Sequence, residues 1–278
     1  MRRISGKGKV REKRGTGTGA DYNPWIHTRE MSSSGTKSLL VDWKHGRQIH
    51  TLSRNETYFY YITRWDDAVI DINEQYPLDR KTTERIADAL SIKHPALWND
   101  PKERMTTDFL VTKADGNNVR KIAFSVKNNY DQVFGDITNP KVKRLVETQS
   151  IEMSYWRLQG IDFKVVFGDK DINKMLARNI EIVVNHYSLR QVHTIYEFAC
   201  YLIAHKYIIV PMDKDPIDIG AITNTYLSTA KQVGKWLDFL VQNDMLDQEN
   251  KIPVKIALLS SVDKEPVPTN DSDESNNI

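Results

Sequence analysis

The stretch from Met105 to Asn128, MTTDFLVTKADGNNVRKIAFSVKN, constrains the fold of this chain more than any other segment. Two apolar-rich runs flank an Asp-Gly pair, and this pattern predicts a β-hairpin with a tight turn. If the loop around Gly116 has an even number of residues, antiparallel pairing sets Asp108 opposite either Ser125 or Ala123. The hairpin therefore brings a carboxylate next to the end of the second strand.

A carboxylate and an ammonium group then share one patch of this sheet, because side chains alternate along a strand and Lys127 lies on the same face as Ser125 and Asp108. One interpretation is a cross-strand ion pair, which is common in sheets and carries no chemistry. The other is catalytic: a carboxylate can hold a divalent cation, and a nearby lysine can orient or deprotonate an attacking water. The second interpretation predicts metal-assisted phosphodiester hydrolysis.

The order of elements around the hairpin indicates the fold class. Upstream, residues 53–56 open an apolar run at helical spacing, and residues 68–72 are strand-like. Downstream, residues 141–159 form an amphipathic helical pattern, and residues 162–167 read as a buried strand. The resulting order α-β-β-β-α-β ends in a parallel crossover. We therefore expect an α/β fold with a mixed sheet that carries helices on its faces.

This order, with an Asp on the second core strand and Ser-Val-Lys on the third, resembles the restriction-endonuclease-like nucleases, whose signature is Pro-Asp…(Asp/Glu)-x-Lys. Over residues 21–173 the chain further resembles the TnsA family, the endonuclease subunits of heteromeric transposases of Tn-seven-type transposons. The stretches that carry this resemblance are DYNPW at Asp21, LSRNE at Leu52, DINEQYPL at Asp71, IKHP at Ile92, MTTDFLV at Met105, SVK at Ser125, EMSYW at Glu152 and DKDIN at Asp169.

The resemblance implies roles for individual residues: Glu56 and Asp108 match metal ligands, and Lys127 matches the catalytic lysine. Glu56 is also the Glu of an S-x-x-E capping box, which explains it without any chemistry. The sequence departs from the pattern at Ser125, where generic members of the fold carry Asp or Glu and the TnsA family carries Gln. The carbonyl of Val126 and bound waters are then left to complete an oxygen shell suited to magnesium. A weak or degenerate site is the alternative.

The function implied by the resemblance is a metal-dependent DNA endonuclease subunit of a cut-and-paste transposase. It hydrolyses the 5′-end strands at transposon ends, uses two Mg²⁺ ions for which Mn²⁺ can substitute, and acts with a TnsB-type transposase and a TnsC-type AAA+ ATPase. Two alternatives stay open: a free-standing restriction or repair nuclease, and a catalytically inactive winged-helix adaptor. The Ser125 hydroxyl and His94 are expected to neighbour the metal ligands. For His94 the alternative is purely structural, because the following Pro95 would end a helix.

Composition and charge predict the domain organisation of the 278 residues, of which 40% are hydrophobic and 27% charged. Residues 1–20 read as a basic disordered arm, which either neutralises DNA phosphates or is a solvated tail. Residues 21–172 form the catalytic domain, 173–262 a winged-helix-like domain, and 263–278 an acidic disordered tail. Because no apolar run approaches membrane-spanning length, we expect a cytoplasmic protein without a membrane partner.

The second domain is predicted to be rich in α-helix. Its last helical pattern, residues 228–246, buries one apolar face and leaves Lys231, Gln232 and Lys235 facing away. Followed by residues 251–261 as a β-wing, this arrangement resembles a winged helix that places these three side chains in a DNA groove. A small helical domain that binds protein is the alternative.

Overall fold

The computed structural model describes residues 4–30, 36–95, 100, 102–189 and 192–246. These residues divide into two compact units, and the division falls between Glu181 and Ile182. The expected C-terminal tail, 263–278, and the expected β-wing, 251–261, lie outside the described residues. Within the described ranges, no helix is both long and apolar enough to cross a lipid bilayer.

The first unit is a mixed α/β structure. Its helices are α1 Gly6–Arg11, α2 Arg54–Trp65, α3 Arg80–Ala89, α4 Asp131–Phe134, α5 Pro140–Leu158 and α6 Lys174–Val184, the last of which crosses the division into the second unit. Its strands are β1 Ser38–Val41, β2 Gln48–Thr51, β3 Val69–Pro77, β4 Thr106–Asp115, β5 Asn118–Lys127 and β6 Asp162–Phe167. The predicted order of helix, three strands, helix and strand is confirmed, with α3 inserted between β3 and β4.

Strands β3 to β6 form one sheet in the order β3-β4-β5-β6, whereas β1 and β2 form a separate antiparallel pair. The β3–β4 and β4–β5 pairs are antiparallel, and β5–β6 is parallel. A parallel pair needs a long connection, which α5 supplies, so the predicted crossover is confirmed.

Helices cover both faces of this sheet. The Phe59 ring of α2 packs on Phe109 and Phe124, at centroid distances of 5.1 and 5.0 Å. Leu110, the neighbour of Phe109 on β4, points to the opposite face and belongs to a core cluster with Trp156 of α5. The sheet is therefore buried on both faces, and polar groups in its centre are shielded from water.

The N-terminal segment corrects one expectation. Residues 1–20 were expected to form a disordered arm, but in the described part of this arm, residues 4–20, α1 forms and Lys9 is 1% exposed. Its Nζ lies 2.9 Å from Oε1 of the buried Glu103, and Arg14 pairs with Glu30 at 2.6 Å. The expectation treated these charges as solvated, whereas buried acids elsewhere in the unit pair with them. The unit also runs past the predicted boundary at residue 172, because Arg178 of α6 donates to the Tyr58 hydroxyl at 3.3 Å.

The second unit contains, in its described part, helices α7 Ile195–Ala204, α8 Ile219–Tyr226 and α9 Ala230–Gln242. Cys200 lies buried in α7, as its apolar surroundings in the sequence predict. Thr229 caps α9, one residue after the start of the predicted helical pattern. The helical content agrees with the expectation, and the winged helix stays a prediction because its wing lies outside the described residues.

The buried Lys9–Glu103 pair predicts a large cost of removing the lysine. We expect Lys9→Ala to lower the free energy of unfolding by about 3 kcal/mol, because it leaves a buried carboxylate without its cation. The exposed Lys7, two residues away on α1, is the matched control, and Lys7→Ala should cost less than about 0.5 kcal/mol. Urea unfolding of both variants measures the difference; equal stabilities would show that α1 is dispensable to the fold.

Candidate active site

The β4–β5 hairpin positions the acidic and basic residues predicted from the sequence. Its loop consists of Gly116 and Asn117, between the paired residues Asp115 and Asn118. Gly116 has a φ of +58°, which a glycine adopts without steric cost. The resulting register runs to the Phe109–Phe124 pair, so the next position sets Asp108 against Ser125. This was one of the two registers expected.

Asp108 is held by three donors at the end of this hairpin. The backbone N–H of Val126 donates to Oδ2 at 2.7 Å, and the Ser125 hydroxyl reaches the same oxygen at 3.3 Å. The Nζ of Lys127 lies 3.7 Å from it and donates to the Ser125 hydroxyl at 2.6 Å. All of these contacts use Oδ2, and among the described residues no hydrogen bond reaches Oδ1.

Glu56 serves as both a helix-end residue and a neighbour of Asp108. Ser53 caps α2 by accepting from the Glu56 backbone N–H at 3.2 Å, and the Glu56 carboxylate accepts from Leu52 N–H at 2.8 Å. Burial, and secondarily the negative charge of Asp108, raise the pKa of Glu56 to about 8. Ser53 therefore caps α2, but the Glu56 carboxylate accepts from Leu52 and not from Ser53, so the predicted capping box is incomplete. Glu56 instead lies near enough to Asp108 for that charge to raise its pKa.

Gln75 supports Glu56 from an unusual backbone conformation that sequence patterns did not reveal. Its amide Nε2 donates to Oε2 of Glu56 at 3.2 Å, its side chain is buried, and its φ is +48°. A non-glycine residue in this region is strained, and such strain persists where surrounding contacts fix it. The signal in the sequence was indirect: Gln75 lies inside the DINEQYPL stretch that carries the family resemblance.

Glu152 is a second residue that sequence reasoning missed. A charged residue on an amphipathic helix usually faces solvent, but Glu152 is 4% exposed and faces the sheet. It accepts from the Thr107 hydroxyl at 2.7 Å and from Gln149 Nε2 at 3.1 Å. Burial, then the charge of Asp108, raise the pKa of Glu152 to about 8. Helical periodicity misplaced it because α5 carries polar residues on both of its sides.

A chain of hydrogen bonds connects α5 to the hairpin. Trp156 Nε1 donates to the Thr107 hydroxyl at 2.7 Å, and Thr107 in turn donates to Glu152. Gln149 Nε2 also donates to the Ser125 hydroxyl at 3.1 Å. Ser125 therefore accepts hydrogen bonds from Lys127 and Gln149 and donates to Asp108, so the residue that departs from the family pattern is a fully engaged part of the site.

The remaining predicted residues lie elsewhere. His94 forms a hydrogen bond with the Thr83 hydroxyl of α3 at 3.0 Å, and among the described residues none of its hydrogen bonds reaches Asp108 or Lys127. In the second unit, Lys231 and Lys235 are exposed on α9. The Gln232 amide closes the cap of that helix by accepting from Thr229 N–H at 3.1 Å.

The site offers the oxygen ligands that a hard divalent cation takes. Two carboxylates, Glu56 and Asp108, lie close enough for the charge of Asp108 to raise the pKa of Glu56, and the Val126 carbonyl lies 3.5 Å from Lys127 Nζ. Within the described ranges, no three His, Cys, Asp or Glu side chains form a metal cluster. Magnesium fits such a sparse oxygen set, because it typically takes one or two carboxylates and completes its shell with water and substrate phosphate.

The raised pKa of Glu152 predicts a pH-dependent stability. The folded protein keeps this proton up to about pH 8, whereas the unfolded chain loses it near about pH 4.3. The folded state thus binds more protons within that window, and its free energy of unfolding falls as the pH rises. We expect the free energy of unfolding of Glu152→Gln to equal that of the parent at about pH 5. At about pH 8.5 it should be higher than that of the parent by at least about 1.4 kcal/mol, the equivalent of one pKa unit.

Chemical denaturation at the two pH values measures this difference. Glu147→Gln is the control on the same helix, since Glu147 forms a partly exposed ion pair with Arg144 at 3.0 Å and should shift stability by less than about 1 kcal/mol. A Glu152→Gln effect of equal size at both pH values would contradict the assignment.

Two comparisons show which known proteins this chain is similar to. Residues 66–168 match the model of the TnsA-like endonuclease N-terminal domain, a segment that holds Asp108 and Lys127 but begins after Glu56. The chain is also 35% identical over 173 residues to the transposon Tn7 transposition protein TnsA of Escherichia coli. This match covers 62% of the chain and 59% of the relative's length. The predicted resemblance is therefore confirmed: the chain is similar to the TnsA-like endonuclease model over residues 66–168 and to the TnsA protein over 62% of its own length.

Proposed function

We propose that this protein is the DNA endonuclease subunit of a cut-and-paste transposase and that it hydrolyses the 5′-end strands at transposon ends. The observation that carries this proposal is the arrangement of Asp108, Ser125 and Lys127 at the hairpin end, beside the buried Glu56 and inside the matched endonuclease domain. The name of the relative, a transposition protein, supports the transposon as the substrate.

The residues of the site have different proposed roles. Glu56, Asp108 and the Val126 carbonyl would hold the metal, and among the described residues no hydrogen bond occupies Oδ1 of Asp108. A bound divalent cation supplies polarisation of the phosphate and a water nucleophile at neutral pH. Lys127 is held within 2.6 Å of the Ser125 hydroxyl, where its ammonium orients or activates the water and offsets charge that develops on the phosphorane-like transition state. The proposed cofactor is two Mg²⁺ ions, for which Mn²⁺ can substitute.

The proposed partners follow from the same relationship. We assign a TnsB-type transposase, which cuts and joins the other strands, and a TnsC-type AAA+ ATPase as the proteins that activate this subunit. Lys231, Gln232 and Lys235 of α9 are proposed to contact DNA, with the two exposed lysines as the charged part of that contact. We expect Gln232 to contribute less to this DNA contact, because its side-chain amide also accepts a hydrogen bond from the Thr229 N–H at the start of α9.

A second candidate is a catalytically inactive adaptor that bridges DNA and an assembly factor. The 3.7 Å separation of Lys127 and Asp108 favours it, since that distance is also typical of a plain cross-strand ion pair. The two functions differ in what the removal of either side chain does to strand cleavage.

Substitutions at the hairpin end separate these candidates. In the assembled system, Asp108→Ala and Lys127→Ala should each lower cleavage about a hundredfold or more, because one removes a metal ligand and the other a charge at the reacting phosphate. Ser125→Ala should cost about tenfold or less, as typical for a group that acts through bound water or a ligand. Gel assays of strand cleavage at transposon-end DNA, with DNA binding measured in parallel, give the comparison.

The chain offers a matched control for the hairpin variants. Lys113 lies at the other end of β4 from Asp108, and it forms a partly exposed ion pair with Asp66 at 2.6 Å. The Lys113→Ala variant should therefore cleave DNA like the parent. If Asp108→Ala and Lys127→Ala also cleave like the parent, the hairpin end is a structural ion pair and the adaptor function is correct. If Ser125→Ala is as inactive as Asp108→Ala, the ligand assignment is wrong.

Partner dependence is a separate expectation. An endonuclease that cut DNA on its own would damage its host, so we expect the purified protein with Mg²⁺ to leave transposon-end DNA largely intact. Adding the transposase and the ATPase should start cleavage of the 5′-end strands. Mapping the cut positions with end-labelled DNA tests this, and efficient cleavage of arbitrary DNA by the lone protein would instead indicate a free-standing nuclease.

A further inference from the structure

Three exposed cations, Arg54, Lys170 and Arg178, lie on α2, on the segment after β6 and on α6, and we refer to them as the basic rim. Arg54 is the first residue of α2, two positions before Glu56. Lys170 follows the end of β6, and Arg178 lies on α6. None of them belongs to the predicted catalytic or DNA-binding set.

Backbone and side-chain contacts join the segments that carry Arg54 and Lys170 to the end of β5, where Lys127 lies. The parallel β5–β6 pair sets Phe167 next to Lys127, and Gly168 N–H donates to the Lys127 carbonyl at 2.8 Å. Asn55, the neighbour of Arg54, donates to the Asn128 side chain at 3.1 Å. The starts of the α2 helix and of the segment after β6 therefore meet at the end of the strand that carries Lys127.

Aromatic rings hold these cations in place. The guanidinium groups of Arg54 and Arg178 both lie over the Tyr58 ring, at 5.4 and 5.9 Å from its centroid, and Tyr58 itself is 3% exposed. Lys170 Nζ lies 3.3 Å from the Tyr130 centroid. Two like charges on one ring repel each other, so an anion placed between them would stabilise the arrangement.

Three acids close in sequence to Lys170 and Arg178 are engaged with other donors. Asp169 accepts from Tyr130 N–H at 3.2 Å, and Asp171 accepts from Phe167 N–H at 2.8 Å. Glu181, one turn after Arg178, shares a hydrogen bond with the Tyr61 hydroxyl. Across the part of the chain that the structure describes, Arg54, Lys170 and Arg178 form no ion pair with a carboxylate. Their charge is therefore open to an external partner.

We propose that the basic rim binds phosphates of the DNA backbone next to the phosphate that is cut, without reading base sequence. This inference rests on the proposed function, because it takes DNA as the substrate. Guanidinium groups match phosphate geometry, and ordered ones lose less entropy on binding it. Phosphate binding was one of the two roles predicted for the N-terminal arm, but Lys9 and Arg14 of that arm pair with buried acids instead. Such binding positions a duplex and leaves specificity to other groups.

Salt dependence of DNA binding tests the proposal. The parent and the double variant Arg54→Gln/Arg178→Gln are titrated with a fluorescein-labelled duplex of arbitrary sequence, in metal-free buffer, at several KCl concentrations. Removing one cation that binds a phosphate should lower the slope of log K against log salt by about 0.9, so the slope of the double variant should be smaller by about one to two units. Arg54→Lys/Arg178→Lys, which keeps the charge, should recover most of the slope.

A matched control removes the same charge elsewhere on the unit. Arg120 and Lys121 are exposed near the turn end of β5, and Arg120 already pairs with Asp162, so Arg120→Gln/Lys121→Gln should leave the slope unchanged. Thermal unfolding of each variant checks that the fold is intact. An equal decrease of the slope in this control and in the basic-rim variant would show a non-specific effect of net charge and overturn the proposal.

The outcomes also separate this proposal from the proposed function. If the parent cleaves transposon ends and the Arg54→Gln/Arg178→Gln variant keeps both its cleavage and its salt slope, the phosphate-binding role of the basic rim is wrong and the endonuclease stands. If the parent neither binds nor cleaves DNA in the assembled system, the proposed function fails. A variant with unchanged salt slope that no longer binds the transposase or the ATPase would make this surface a protein interface and overturn the phosphate assignment.

Discussion

The register of the β4–β5 hairpin is the constraint on which the candidate site depends. The two-residue loop at Gly116 and Asn117 fixes which residues of the two strands face each other. A shift by one residue would turn Lys127 and Ser125 to the other face of the sheet. It would also remove the Val126 N–H that holds Asp108. One turn therefore determines the distance between the carboxylate and the ammonium group, and the apolar strands on either side resist any slip.

Burial gives this small group of side chains its electrostatic character. The sheet is covered by α2 on one face and α5 on the other, and these helices bring Glu56 and Glu152 towards the same aspartate. Low water access penalises each carboxylate, so the pKa values of both glutamates rise to about 8. Each glutamate therefore keeps a proton at a pH where an exposed carboxyl group would release it.

Ser125 shows how a site can depart from a family pattern and remain ordered. Its hydroxyl connects the hairpin to α5 through Gln149, and it keeps Lys127 oriented towards Asp108. On the other side, Gln75 holds Glu56 from a strained backbone position on β3. These supports come from elements far apart in the sequence, so the geometry of the site depends on the whole unit being folded.

The sequence by itself determined the hairpin, the order of strands and helices, and the pairing of Asp108 with Lys127, because these follow from local turn chemistry and side-chain alternation. It also placed Cys200 in a core. Tertiary structure alone decided that Lys9 is buried against Glu103, that Glu152 faces the sheet and that Arg54 and Arg178 share one tyrosine ring. A charged residue looks the same in a sequence whether it is solvated or paired. Only the contacts between distant segments decide which of the two it is, since burial and ion pairing depend on neighbours in space.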